Sequence, residues 1–252
     1  MITLVAGLLI GAATLAAAFV TGIFGMVGGQ ILLAVLLYYL PVSAAMTMFS
    51  AVMFASGFWR MVIWRQHIAW RTTFIYMAGS VVGYIVMLFI AFVPSKAMVY
   101  LGLGLTPFVG DLLPKRFAPD ISKGPLAFLC GVIVMVLQIG FGAGGNVLDM
   151  FFQASPYSRH MIVATKAITQ LFAQVMRFVY FGSLALEAGD SAPWWLFVIY
   201  ALLTFVGGSA AGGVLNRISD HSFRQWTKWL IWFFSAIYTG RGLWLLFTGS
   251  TT

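Results

Sequence analysis

The sequence predicts an all-α membrane protein: a polytopic helical bundle of two inverted repeats of about five helices each, with broken or short helices at glycine-rich motifs. Three observations predict it. Of 252 residues, 62% are hydrophobic and only 8% charged, where a soluble domain carries about 25% charged residues. So little charge cannot cover a soluble surface, and disorder needs the opposite composition. The apolar residues also lie in long unbroken runs, not in the short alternating segments of a membrane barrel. At roughly 20 residues per crossing, the chain has length for about ten closely spaced spans. Finally, the order of polar punctuation in the first half recurs in the second.

The first run is Ile2 to Phe24. Ala16-Ala17-Ala18 resembles the small residues before a signal cleavage site, but no Lys or Arg precedes the run. It is expected to be a retained first span. Gly25-Met26-Val27-Gly28-Gly29 interrupts it, and a short run from Gln30 to Leu40 stops at Pro41. Val42 to Trp64 is the next span, followed by a basic connector with Arg65, His67 and Arg71. Thr72 to Phe92 spans again, and Ala97 to Val109 is a shorter, glycine-containing run. Residues 1–110 form the first repeat. Residues 111–124 hold prolines and charges and read as a cytoplasmic linker.

Residues 125–252 repeat this order. Pro125 to Ile139 is apolar, Gly140 to Gly145 interrupts, and Asn146 to Gln153 is short and ends near Pro156. Met161 to Leu186 spans, then an acidic loop carries Glu187 and Asp190. Trp194 to Leu215 and Trp226 to Phe247 complete the half, separated by a connector with Arg217, Asp220, His221 and Arg224. Gly28-Gly29-Gln30-Ile31-Leu32 lines up with Gly144-Gly145-Asn146-Val147-Leu148. Arg60-Met61-Val62-Ile63-Trp64 lines up with Arg177-Phe178-Val179-Tyr180-Phe181 at nearly the same offset. Gly79/Gly83 and Gly208/Gly212 align loosely and read as close-packing glycines.

An odd number of crossings per half inverts the halves relative to each other. Alternation then puts Arg65, Arg71, Lys115, Arg116, Lys123, Arg159, Arg217, Arg224 and Lys228 on the cytoplasmic side. Lys96 and the acidic Glu187/Asp190 loop fall outside, with both termini. That is a strong positive-inside pattern. It also explains the net charge of +8 without nucleic acid, because the basic residues are scattered over short loops rather than clustered on one face.

The composition leaves little room for catalysis. The lone Cys130 allows neither an intrachain disulfide nor a cysteine metal site. No His/Asp/Glu set has metal spacing. No phosphate-binding loop and no nucleophile motif occurs. The expectation is a protein that is not an enzyme and needs no cofactor. His67, His160 and His221 read as solvated connector residues.

The two glycine breaks invite a binding role. A helix broken in lipid leaves backbone groups unsatisfied, and it survives only where protein or a water-filled cavity surrounds it. A new helix then starts with free N–H groups and a partial positive charge, which suits an anion. Inverted repeats bring two such starts together near the midplane, as secondary transporters do. Gly28, Gly29, Gln30, Gly144, Gly145 and Asn146 are the candidate residues, Gln30 and Asn146 as amide donors. The alternative is that these glycines only allow close helix packing.

Four basic residues fall within predicted spans: Arg60, Lys166, Arg177 and Arg241. A charge at the bilayer centre costs about 2.5–3.5 kcal/mol on insertion scales. Asp149 is the sole acid well inside an apolar run, as a salt-bridge partner of Lys166 or a proton carrier. The cation excess suits an anionic substrate. Lys166, Gln170 and Arg177 share one helical face with residue 173, a pathway-lining face or one that makes interhelical hydrogen bonds. Arg60 and Arg177, in matching repeat positions, are placed at opposite mouths of one pathway, the alternative being that each reaches to its nearer interface.

A glycine-rich break after the first span, a basic connector after the third and a second break past mid-chain together resemble the sulfite exporter TauE/SafE family. The resemblance covers about residues 5 to 245. The family pattern is close to Gly-x-Gly-Gly-Gly. Here the first copy has Val27 in a glycine place, and the second, Gly142-Ala143-Gly144-Gly145-Asn146, has Asn146 in one. The resemblance implies a bacterial inner-membrane transporter of small sulfur-containing anions, such as sulfite, sulfoacetate or another organosulfonate, coupled to an ion gradient. The expected partners are that small anionic substrate, the lipid bilayer, a coupling proton and a second copy of the chain in a homodimer. A passive anion channel on the same broken helices, a membrane-embedded enzyme and a subunit of a larger complex are the other classes.

Overall fold

The computed structural model describes residues 4–24, 27–112, 119–153, 155–190, 192–215 and 220–248. Ten α-helices follow in order among them: α1 Leu4–Phe24, α2 Val27–Tyr39, α3 Val42–Trp64, α4 Trp70–Ile90, α5 Lys96–Leu112, α6 Gly124–Phe141, α7 Gly145–Gln153, α8 Arg159–Glu187, α9 Trp194–Leu215 and α10 Asp220–Thr248. A short 3₁₀ turn, Arg65–His67, joins α3 to α4. Punctuation explains most of these boundaries. Pro41 precedes α3 with an extended backbone. Pro125 sits in the first turn of α6, where its missing N–H costs nothing. Ser158 caps α8 by accepting from the Met161 N–H.

Several boundaries differ from the expectation, and α5 runs on to Leu112, taking Asp111 out of the linker. Helix α10 starts at Asp220, so Arg224 and Lys228 stand on the helix and not in a loop. Helix α8 starts at Arg159 and absorbs His160. His67 and His160 are exposed, with ring centroids 5.4 Å apart. Arg217 and linker residues 113–118 lie outside the described residues, as does the side chain of His221.

Packing shows how the halves relate. Gly57 of α3 faces Leu171 of α8, and Thr47 lies beside Gly182. Rising numbers on α3 meet falling numbers on α8, so these two helices run antiparallel. Gly104 of α5 meets Thr239 of α10, and Leu101 meets Gly242, again antiparallel. By contrast, Gly79 and Gly83 of α4 meet Phe128 and Val132 of α6, and Gly11 and Leu15 of α1 meet Leu203 and Gly207 of α9. Both of those pairs run parallel. Exchanging α1–α5 with α6–α10 maps α4–α6 onto α9–α1 and returns α3–α8 and α5–α10 onto themselves. Equivalent helices lying antiparallel require the two halves to be inverted.

The close approaches are glycine-made. A Cβ on Gly79 would come within 2.0 Å of the Phe128 carbonyl oxygen, and one on Gly131 within 2.1 Å of the Tyr76 oxygen. Small residues let backbones approach where no hydrophobic drive separates protein from lipid. In the second half the packing glycine is Gly207, not Gly208, which has nothing within 4 Å.

The chain is a polytopic helical membrane protein. Trp70–Ile90, Gly124–Phe141, Trp194–Ala211 and Trp229–Thr248 are each long and apolar enough to cross a bilayer unaided. Their outer faces expose large apolar side chains such as Phe74, Leu202, Val206 and Phe233, as lipid contact requires. Helices α3 and α8 pack on each other and carry the polar load, including Ser50, Thr169, Gln174 and Arg177, all buried. Cys130 is free and buried.

Candidate functional site

The second glycine break is built by two features. Helix α6 ends at Gly142, whose φ of +70° lets its N–H return to the Gln138 carbonyl. A side chain there would be strained by its backbone, and a Cβ would meet Leu33 at 2.5 Å. The chain then folds back tightly, with the Gly144 Cβ position 2.9 Å from Val134. Helix α7 starts beyond it, where the Leu148 N–H returns to the Gly144 carbonyl at 3.1 Å. Gly145 and Asn146 thus open a helix with N–H groups free of intrahelical partners.

Both helix starts face one cavity. A space of about 120 Å³ is lined by Gly29 and Gln30 at the start of α2 and by Gly144, Gly145 and Asn146 at the start of α7. Gln138, Gln170 and Gln174 add amides, Thr21 a hydroxyl, and Phe49 and Met53 apolar walls. Among the described residues, no lining residue is acidic or basic. The Gln30 Oε1 and the Thr21 Oγ1 are buried without a hydrogen-bond partner. Buried polar atoms are rarely left so, and a polar occupant of the cavity would satisfy them. The volume suits a few waters or a small ion, since one water needs about 10–15 Å³.

Arg177 lies behind this lining and is completely buried. Its Nε donates to Ser50 Oγ at 2.8 Å. Its Nη1 donates to Gln138 Oε1 at 2.8 Å and to the Gly142 carbonyl at 3.3 Å. Its Nη2 donates to Gln174 Oε1. The guanidinium also sits 4.6 Å from the centre of the Phe49 ring. Every one of these partners is neutral. Arginine stays protonated even here, and burying its charge costs several kcal/mol before hydrogen bonds offset part of it. The carbonyl ends of Gln138 and Gln174 are both held by Arg177. The donor ends of those amides are therefore the ones available to the cavity. A positive field reaches the cavity through two polarised amides and two helix starts, with no carboxylate among the lining residues to cancel it.

The candidate residues divide as follows. Gly29, Gln30, Gly144, Gly145, Asn146 and Gln170 meet at the cavity. Gly28 does not line it. A Cβ there would lie 1.9 Å from the Ala17 carbonyl oxygen, so Gly28 lets α2 pack on α1. Lys166 also stands away from the lining and pairs with Asp149 of α7. The side chain of Arg60 lies outside the described residues. Arg177, expected at a mouth of a pathway, is completely buried. It is level with Ser50 because α8 pairs antiparallel with α3. Gln138, Thr21 and Phe49 were not singled out from sequence. Gln138 carries a weak signal, a single amide one turn before the break at Gly142.

No curated protein and no solved structure matches the chain. The family model for the sulfite exporter TauE/SafE matches residues 9–239. With nearly the whole chain covered, this membrane protein belongs to the sulfite exporter TauE/SafE family.

Proposed function

We propose that this protein is a secondary transporter that carries a small sulfur-containing anion, sulfite, sulfoacetate or another organosulfonate, by alternating access. The meeting of two broken-helix starts and the Arg177 field at one cavity without carboxylates carries this reading. The anion displaces water and accepts N–H groups from the starts of α2 and α7, together with the amides of Gln30, Asn146, Gln138, Gln170 and Gln174. Its charge compensates the buried guanidinium. The cavity is small, which favours compact oxyanions. Its lining includes Phe49, Met53 and Gly57 of α3 and Gln170, Leu171 and Gln174 of α8, the middle of both helices. Motion of one half against the other around that point alternates its exposure, coupled to a proton gradient.

The proposed setting is a bacterial inner membrane, crossed several times, with both termini periplasmic. The charge asymmetry of the connectors supports that orientation. The helix directions agree with alternation of the spans, which makes α3 and α8 antiparallel and α4 and α6 parallel.

The test is counterflow in proteoliposomes. Vesicles loaded with unlabelled sulfite or sulfoacetate are placed in a trace of labelled anion. A carrier shows a transient uptake overshoot that saturates with concentration. Uptake without overshoot, together with unsaturable conductance, would replace the carrier with a channel.

A further inference from the structure

A second cavity lies away from the glycine breaks, on the surface between α1, α2, α5 and α10. It is an open groove of about 480 Å³, within the roughly 300–1,000 Å³ typical of small-molecule sites. Leu9 and Val35 belong to its apolar wall, with Tyr38, Tyr100 and Tyr238 around it and Arg241 at its edge. Leu9 and Tyr38 are exposed, so the groove opens to the lipid-facing surface.

Three features say what would fill it. Arg241 lies 4.4 Å over the Trp244 ring, which holds the guanidinium in place. The one ion pair among the described residues is Lys166–Asp149, so no carboxylate of the described residues neutralises Arg241. Arg241 is also close enough to Lys96 and Tyr100 for their charges to interact, which gathers two cations at one end of the molecule. The Tyr238 hydroxyl is the third feature. Tyr238 is 3% exposed, and its hydroxyl has no partner. Tyrosines beside basic residues at one end of a helical membrane protein mark the headgroup level.

We propose that this groove binds an anionic phospholipid, with its phosphate on Arg241 and one acyl chain along the wall formed by Leu9 and Val35. The Tyr238 hydroxyl donates to an ester oxygen of the same lipid. A soluble anion has no use for the apolar wall. An apolar helix from another chain leaves both cations and the hydroxyl unsatisfied.

Native mass spectrometry of the delipidated protein tests this with phosphatidylglycerol and phosphatidylcholine of identical acyl chains. The intact protein retains phosphatidylglycerol about fivefold better, the effect of one basic contact to an anionic headgroup. Arg241→Gln removes that preference and leaves a residual binding common to both lipids. Tyr238→Phe weakens both lipids alike, because both carry the ester. Arg241 is exposed and the Tyr238 hydroxyl unpartnered, so each variant is expected to melt like the parent without lipid. Equal retention of the two lipids by the parent, an undiminished preference in Arg241→Gln, or glycerol phosphate binding as tightly as the lipid would each overturn the proposal.

Discussion

Arg177 and Ser50 are joined by a 2.8 Å hydrogen bond between positions 127 residues apart. The bond links the third helix of one half to the third helix of the other. It sits beside the cavity that both halves build, so the side chain that backs the cavity lining also ties the halves together.

Arg177 can therefore be separated into charge and geometry. Lysine keeps the charge but cannot make the fork to Gln138, Gly142 and Gln174. Hydrogen bonds to a charged group are worth about 1.5–3 kcal/mol each. Arg177→Lys should weaken anion binding by roughly tenfold or more on that scale while the protein still folds. Arg177→Met should both abolish binding and lower the melting temperature, because four acceptors lose their donor. Thermal unfolding with and without sulfite reads both effects.

Gly142 is predicted to be intolerant for two reasons. Its φ of +70° disfavours any side chain, and a Cβ would press on Leu33. Gly142→Ala should cost about 1–2 kcal/mol from backbone strain alone. It should also move the carbonyl that Arg177 holds. The expected readout is a lower melting temperature together with weaker anion binding.

Gly79 and Gly208 make a matched pair. Gly79→Ala drives a methyl group into the α6 backbone, and overpacking of this kind costs about 1–3 kcal/mol. Gly208→Ala meets nothing within 4 Å and should be tolerated. Melting temperature and size-exclusion profile in detergent distinguish them. If both behave alike, the α4–α6 contact is not as close as described.

The last pair concerns Lys166 and Asp149, whose side chains are 22% and 32% exposed. Partly exposed ion pairs contribute about 0–1 kcal/mol. Lys166→Gln and Asp149→Asn should change stability by no more than that, and anion affinity should stay within about twofold on the same grounds. Titration calorimetry on the purified variants checks both. A collapse of affinity in Lys166→Gln would bring that lysine into the site.

Much of this was legible in the sequence, for identifiable reasons. The bounds of α3 follow from Pro41 and the basic connector after Trp64. The two breaks were visible because their glycines interrupt apolar runs and recur at one offset. The depth of Arg177 was not legible. Its position along α8 says nothing about which helix covers it, and the α3–α8 pairing depends on long-range contacts. Gln138 was hidden for a related reason: one amide in an apolar run reads the same whether it faces a cavity or a neighbouring helix. Gly28 and Gly29 are adjacent in sequence, yet one packs on α1 and the other lines the cavity. Only the direction each faces separates them.

The central claim is that a small sulfur oxyanion sits at the two helix starts. Equilibrium binding of sulfite and sulfoacetate to the purified protein tests it most directly, with Asn146→Leu and Lys166→Gln beside the parent. The account predicts saturable binding of one of these anions, lost in Asn146→Leu and kept in Lys166→Gln. Binding that is indifferent to Asn146, or no binding of either anion, would contradict it.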